Sequence, residues 1–215
     1  MQYLDKTTPS KAQRLEADHA VEPTGVRTLV ALDVSESMDW GEVAGIAGLT
    51  PREASAAIAL ATAMAEPCHQ IVGFHAGPGG ERFARAHNWL GGIRALTPLA
   101  IDPGEGFDGA VRAVTGLPYG GTDPALPMLY AGRRKLDVDL FVIYTDTEVT
   151  AGDVDPADAL RAYRRRSGID ARLVVVGMVA DEFQVADPDD PGMLDLAGFD
   201  AATPGRIAGF ATEAL

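Results

Sequence analysis

Four short, continuously apolar runs, at residues 27–33, 70–75, 139–146 and 171–177, alternate with longer segments that carry helix-start chemistry. This alternation limits the fold more than any other feature of the chain. An apolar run without polar alternation reads as a strand covered on both faces, and helices between successive strands supply the cover. Right-handed crossovers then join the strands side by side. The sequence therefore predicts a three-layer, doubly wound (Rossmann-like) α/β domain with a mostly parallel sheet.

The helix starts are explicit. Thr50, Pro51 and Glu53 supply an N-cap, a proline at the first helical position and a capping-box carboxylate, predicting a helix from there to residue 65. Asp155 and Pro156 open another that closes near residues 166–168, and Thr122, Asp123 and Pro124 open one that runs to about residue 135. Residues 106–114 read as a helix, as do 191–197 and 204–214, each of the last two with its proline after Asp190 or Thr203. An edge strand is expected within 81–90. Residues 1–24 are polar and end in the turn-forming Glu22-Pro23-Thr24-Gly25, so they read as a leader or linker with a short helix at 11–20, followed by one domain at 25–215.

Composition narrows the function. Acidic residues outnumber basic ones 31 to 18, a formal charge of −13, so the average surface repels phosphate backbones and anionic membranes. Cys68 is the single cysteine, which excludes an intrachain disulfide framework and a multi-cysteine zinc site; it reads as a small buried hydrophobe. The start of the chain lacks a signal-peptide pattern and no apolar run reaches the length of a membrane span, so a soluble, cytoplasmic protein is expected.

The first and third apolar runs both end in a carboxylate. In Asp33-Val34-Ser35-Glu36-Ser37 the period of two sends Asp33, Ser35 and Ser37 the same way as the chain leaves the sheet. Asp146 ends the third run, and Thr122 follows Gly120-Gly121 at a predicted helix start. Open α/β sheets bind ligands beyond the carboxyl ends of their strands. Two carboxylates and three hydroxyls, all hard oxygen donors, suit Mg²⁺, with Mn²⁺ or Ca²⁺ also accommodated, better than Zn²⁺. Two charged ligands just balance a divalent ion, which leaves room for an acidic group from a partner. The same residues also suit plain turn chemistry, with Asp33 and Asp146 capping loops and the hydroxyls satisfying backbone groups. Spacing leaves both readings open.

These residues carry a resemblance. Asp33-Val34-Ser35-Glu36-Ser37, Gly120-Gly121-Thr122-Asp123 and Thr145-Asp146 resemble the three segments of a metal-ion-dependent adhesion site in a von Willebrand factor type A domain. Together with segments 22–25, 121–128, 141–148 and 186–200, they are similar to the C-terminal half of the Ro ribonucleoprotein (TROVE) family, in order across about residues 20–212. The resemblance implies a metal site at Asp33, Ser35, Ser37, Thr122 and Asp146. It also implies membership of a ribonucleoprotein that binds Y RNA and misfolded RNA in RNA quality control, chiefly through a ring of helical repeats. That ring is absent from this sequence, so 1–215 is expected to be a piece of a longer chain, with RNA bound only through the full-length protein. Two positions depart from the family pattern: Glu36, where a small residue is usual, and Thr147, where an amide is usual.

Two other functions compete. Two carboxylates with Mg²⁺ at strand ends also suit phosphoryl transfer, but residue 35 is Ser where such phosphatases place a second Asp, and no Lys lies near a strand end. Direct but weak, salt-dependent RNA binding by this domain is the other. The basic clusters Arg133-Arg134-Lys135 and Arg164-Arg165-Arg166 close predicted helices, where positive charge favours the dipole end, and a local RNA or protein contact is the alternative. Asp187, Asp189 and Asp190 lack the donor spacing of a calcium loop, and Asp190 reads as a helix cap. The four histidines show no paired ligand spacing.

Overall fold

The computed structural model describes residues 23–43, 48–75, 96–117, 121–146, 152–179 and 184–213. In chain order the elements are β1 (Thr28–Asp33), α1 (Pro51–Ala65), β2 (His69–Phe74), β3 (Leu96–Pro98), α2 (Gly106–Val114), α3 (Leu126–Arg134), β4 (Leu140–Thr145), α4 (Pro156–Ser167), β5 (Arg172–Gly177), β6 (Met193–Ala197) and α5 (Thr203–Thr212). The strands form one sheet in the order β3-β2-β1-β4-β5-β6. All neighbours run parallel except β3, which pairs antiparallel with β2. The predicted three-layer α/β architecture is the one observed.

The period of two along each inner strand sorts its side chains into two cores. Val30 and Leu32 of β1, with Val142 and Tyr144 of β4, join Ile58 of α1, Val114 of α2 and Ile207 of α5. Leu29 and Ala31, with Phe141 and Ile143, join Met128 of α3 and Leu160 of α4. Every residue of β1, β4 and β5 is buried, which is why these runs carry no polar alternation. Phe141 meets Tyr163 edge to face at 5.0 Å. The Tyr163 hydroxyl accepts from the Val138 N–H at 2.7 Å and donates to the Leu136 carbonyl, tying α4 to the approach to β4.

Local chemistry sets most boundaries. The Thr50 and Glu53 capping box forms in both directions. The Asp155 carboxylate accepts from the Ala157 and Asp158 N–H groups at 2.9 and 3.3 Å, and Gly168 closes α4 at φ 73°. Arg27 forks onto Asp139 and ties the entry of β1 to that of β4.

Three expectations are corrected. Residues 193–197 are strand, not helix: Pro191-Gly192 makes a turn, and the Asp190 carboxylate accepts from the Gly192 N–H at 2.9 Å and pairs with Arg164 instead of capping a helix. Helix α3 begins at Leu126, because Asp123 and Pro124 form a turn in which the Asp123 carbonyl accepts from the Leu126 N–H. Cys68 is exposed in the turn between α1 and β2, where Pro67 has already ended the helix. Leu96–Pro98 and Met193–Ala197 form the two edges of the described sheet, and Pro98 is tolerated at such a margin. Residues 11–20 and 81–90, for which a helix and an edge strand were expected, lie outside the described residues, as do Gly120 and Thr147.

Candidate metal centre

The chain runs from β1 outward through β2 and β3 on one side, then returns to lay β4, β5 and β6 on the other. The direction of winding therefore reverses between β1 and β4, and the crevice beyond their carboxyl ends is the place where such sheets bind ligands. Asp33 is the last residue of β1, and Asp146 directly follows the last residue of β4. The register pairs Leu32 with Tyr144, so Asp33 and Thr145 are the next residues along two adjacent strands.

Asp33 is the centre of a hydrogen-bond cluster. Its Oδ1 accepts from the Ser35 N–H at 2.8 Å, and its Oδ2 accepts from the Thr122 hydroxyl at 2.8 Å and the Thr145 hydroxyl at 2.7 Å. Ser35 Oγ and Ser37 Oγ lie 3.1 Å apart. Asp33, Ser35, Thr122 and Asp146 are buried, and Ser37 is half-buried. The structure thus brings Asp33, Ser35, Ser37 and Thr122 into one bonded group, with Asp146 at the neighbouring strand end. Burial pushes the Asp33 carboxyl above its ordinary value, against the pull of the Ser35 amide and the Thr145 and Thr122 hydroxyls. Among the described residues every recorded donor to Asp33 is neutral, so a buried carboxylate stands without a compensating cation. Such a site has a use for an external positive charge.

Two residues that the sequence left unassigned shape the site. Thr145 is the second hydroxyl on Asp33, and its parity with Asp33 across the parallel pair was the available signal. Arg52 is buried in the first turn of α1, a position the helix dipole disfavours for a cation. Its Nε donates to Asp39 Oδ1 at 2.6 Å, its Nη2 to the Ser35 carbonyl at 2.8 Å and its Nη1 to the Val114 carbonyl at 3.4 Å. Arg52 thereby pins the turn at Glu36–Asp39, which carries Ser37, against α1 and α2. Glu36 is exposed in that turn.

Asp123, beside Thr122, is pushed up to about 6 by burial, with the Ala125 N–H opposing and the Asp153 charge reinforcing the shift. Gly152 passes so close that a Cβ there would lie 2.6 Å from Asp123 Oδ1, and its φ of +106° also requires glycine. His75, at the end of β2, is buried, and burial lowers its imidazole from the ordinary value. Asp187 and Asp190 pair with Arg161 and Arg164 and form no calcium loop. Among the described residues no three His, Cys, Asp or Glu side chains cluster, so ion binding here would draw on the hydroxyls. No helix among the described residues is long and apolar enough to cross a membrane.

A model of the Ro60 vWA domain matches residues 27–211. The chain is 42% identical over 191 residues to RNA-binding protein RO60 of Deinococcus radiodurans, covering 89% of this chain and 33% of that protein. It is 35% identical over 191 residues to RNA-binding protein RO60 of Caenorhabditis elegans, covering 88% of this chain and 27% of that protein. The crystal structure of the Deinococcus radiodurans RO (RSR) protein superposes with a TM-score of 0.76 over 89% of this chain and 35% of that one. Proximal thread matrix protein 1 from the mussel byssus, at 10% identity and a TM-score of 0.55, shares the fold alone. The chain spans a third or less of the length of these RO60 relatives. It belongs to the Ro60 vWA domain family.

Proposed function

We propose that this domain is a non-catalytic, divalent-metal-dependent binding module of a Ro-type RNA-binding protein. The hydroxyls of Ser35, Ser37 and Thr122 and the carboxylates of Asp33 and Asp146 would hold the ion, directly or through water, with Mg²⁺ favoured over Mn²⁺ or Ca²⁺ by the all-oxygen donor set. The carrying observation is the bonded cluster at the point where the sheet reverses its winding, centred on a buried carboxyl group whose donors among the described residues are all neutral. Bound metal would supply the missing positive charge and polarise whatever oxygen fills the remaining position. Two carboxylates balance a divalent ion, so an acidic side chain of a protein partner suits that position.

Binding of Y RNA or another small noncoding RNA is assigned to the full-length protein. The RO60 relatives carry RNA binding in their names, and this chain spans only part of them. The formal charge of −13 favours no more than weak, strongly salt-dependent RNA binding by the domain itself. The one lysine among the described residues, Lys135, closes α3 on the way into β4, at the sheet end opposite the cluster, which disfavours phosphoryl transfer.

Thermal unfolding during titration with Mg²⁺, Mn²⁺ and Ca²⁺ tests the reading. Binding to the native state raises stability by mass action, about 2.7 kcal/mol at a hundredfold excess over Kd. The wild type should respond and Asp33→Ala should not. Equal responses would overturn the assignment.

A further inference from the structure

We propose that the cleft between α3 and α4 is a docking site for an acidic protein segment that carries an apolar anchor residue. The cleft encloses about 350 Å³. Its lining includes the buried Met128 and Tyr163, the half-buried Leu129, and the exposed Ala162, Arg133 and Arg166. Both helices lead into strand starts, so the cleft's basic end lies at the side of the sheet opposite the metal cluster. The proposal is thus independent of the metal site.

Charge complementarity selects the occupant. Arg27, Arg52, Arg112, Arg161, Arg164 and Arg206 all pair with carboxylates. Arg172 donates to the Phe210 and Glu213 carbonyls, and Arg134 stacks on the Tyr130 ring. The remaining described cations, Arg133, Lys135, Arg165 and Arg166, make no recorded ion pair among the described residues, and all are exposed at the ends of α3 and α4. A chain with 31 acidic residues has kept its unpaired described cations in one place.

The arrangement suits a short acidic peptide better than a nucleic acid. The cations are confined to one end of the cleft, a patch that a few carboxylates cover and that offers no track for an extended run of phosphates. A peptide can place carboxylates on Arg133 and Arg166, where guanidinium geometry accepts them in pairs, while one apolar side chain enters over Leu129 and Ala162.

Fluorescence polarisation on the 215-residue protein, with a labelled Asp-Asp-Glu-Phe-Glu-Asp-Asp peptide, tests this. Saturable binding is expected, weakened about tenfold or more by the double substitution Arg133→Glu with Arg166→Glu, a loss of about 1.4 kcal/mol. The uncharged Ala162→Phe, which fills the cleft, and replacement of the peptide Phe by Ser should each weaken binding by a similar factor. Absence of saturable binding would overturn the proposal. So would indifference to both Ala162→Phe and the peptide Phe-to-Ser change, which would reduce the contact to charge alone. Tighter binding of a uridine dodecamer, lost in the Arg133 and Arg166 variant, would assign the surface to nucleic acid instead.

Discussion

The Thr145 hydroxyl donates to Asp33 Oδ2 at 2.7 Å, on the same carboxylate oxygen that takes the Thr122 hydroxyl at 2.8 Å. Two neighbouring strands and the approach to α3 therefore converge on one buried oxygen. The two threonines differ in role, because Thr122 belongs to the proposed ligand set and Thr145 only steadies Asp33.

That difference is measurable. Thr145→Val keeps the shape and removes one donor from a buried acceptor, which should cost about 1–3 kcal/mol of stability in urea unfolding. The rise in melting temperature on adding Mg²⁺ should persist. Thr122→Val should lose most of that rise. Loss of the Mg²⁺ response in both variants would show that the two hydroxyls act alike.

Asp123 makes stability depend on pH in a defined window. A carboxyl at about 6 in the fold, against an ordinary 3.8, stabilises the native state in its neutral form. Its contribution is complete below pH 3.8 and is lost as pH rises to about 6. With metal chelated, Asp123→Asn should exceed the wild type by about 1–3 kcal/mol at pH 7.5 and match it below pH 4. A difference that stays constant across that range would contradict the assignment.

Arg52 should matter twice. Arg52→Met fills similar space but releases the exposed Asp39 and leaves the Ser35 and Val114 carbonyls without this donor, for a destabilisation of about 1–3 kcal/mol. Because the turn bearing Ser37 loses its tether, Mg²⁺ affinity should fall even though every proposed ligand is present. Arg52→Lys should restore part of the stability without the three-way clamp. Unchanged Mg²⁺ affinity in a folded Arg52→Met protein would limit Arg52 to a packing role.

Much of this arrangement is readable from the chain, and the failures have physical causes. The runs at 27–33 and 139–146 reveal buried strands because both faces are covered, and their terminal carboxylates mark the crevice. Ser35 and Ser37 meet for another reason than the expected period of two: β1 ends at Asp33, and the 3-10 turn at Glu36–Asp39 that Ser35 precedes carries Ser37 back to it. Thr122 is found for a partly wrong reason: it donates to Asp33 rather than capping a helix, and α3 starts four residues later. Strand β6 is missed because Pro191-Gly192 imitates a helix start, when its turn serves the pairing of Met193–Ala197 with β5. Arg52 is hidden because three of its partners come from segments far away in sequence, although a cation in a first helical turn is a local conflict that signals such a tie. Cys68 follows the general burial of thiols only until a turn intervenes.

The most direct measurement counts the bound ion. Mn²⁺ titrated into the metal-free protein and followed by electron paramagnetic resonance reports free against bound metal. The account predicts one Mn²⁺ per chain, displaced by Mg²⁺, with binding abolished in Asp33→Asn and in the double variant Ser35→Ala with Ser37→Ala while both remain folded. Stoichiometric binding that survives in those variants, or no binding by the wild type, would contradict it.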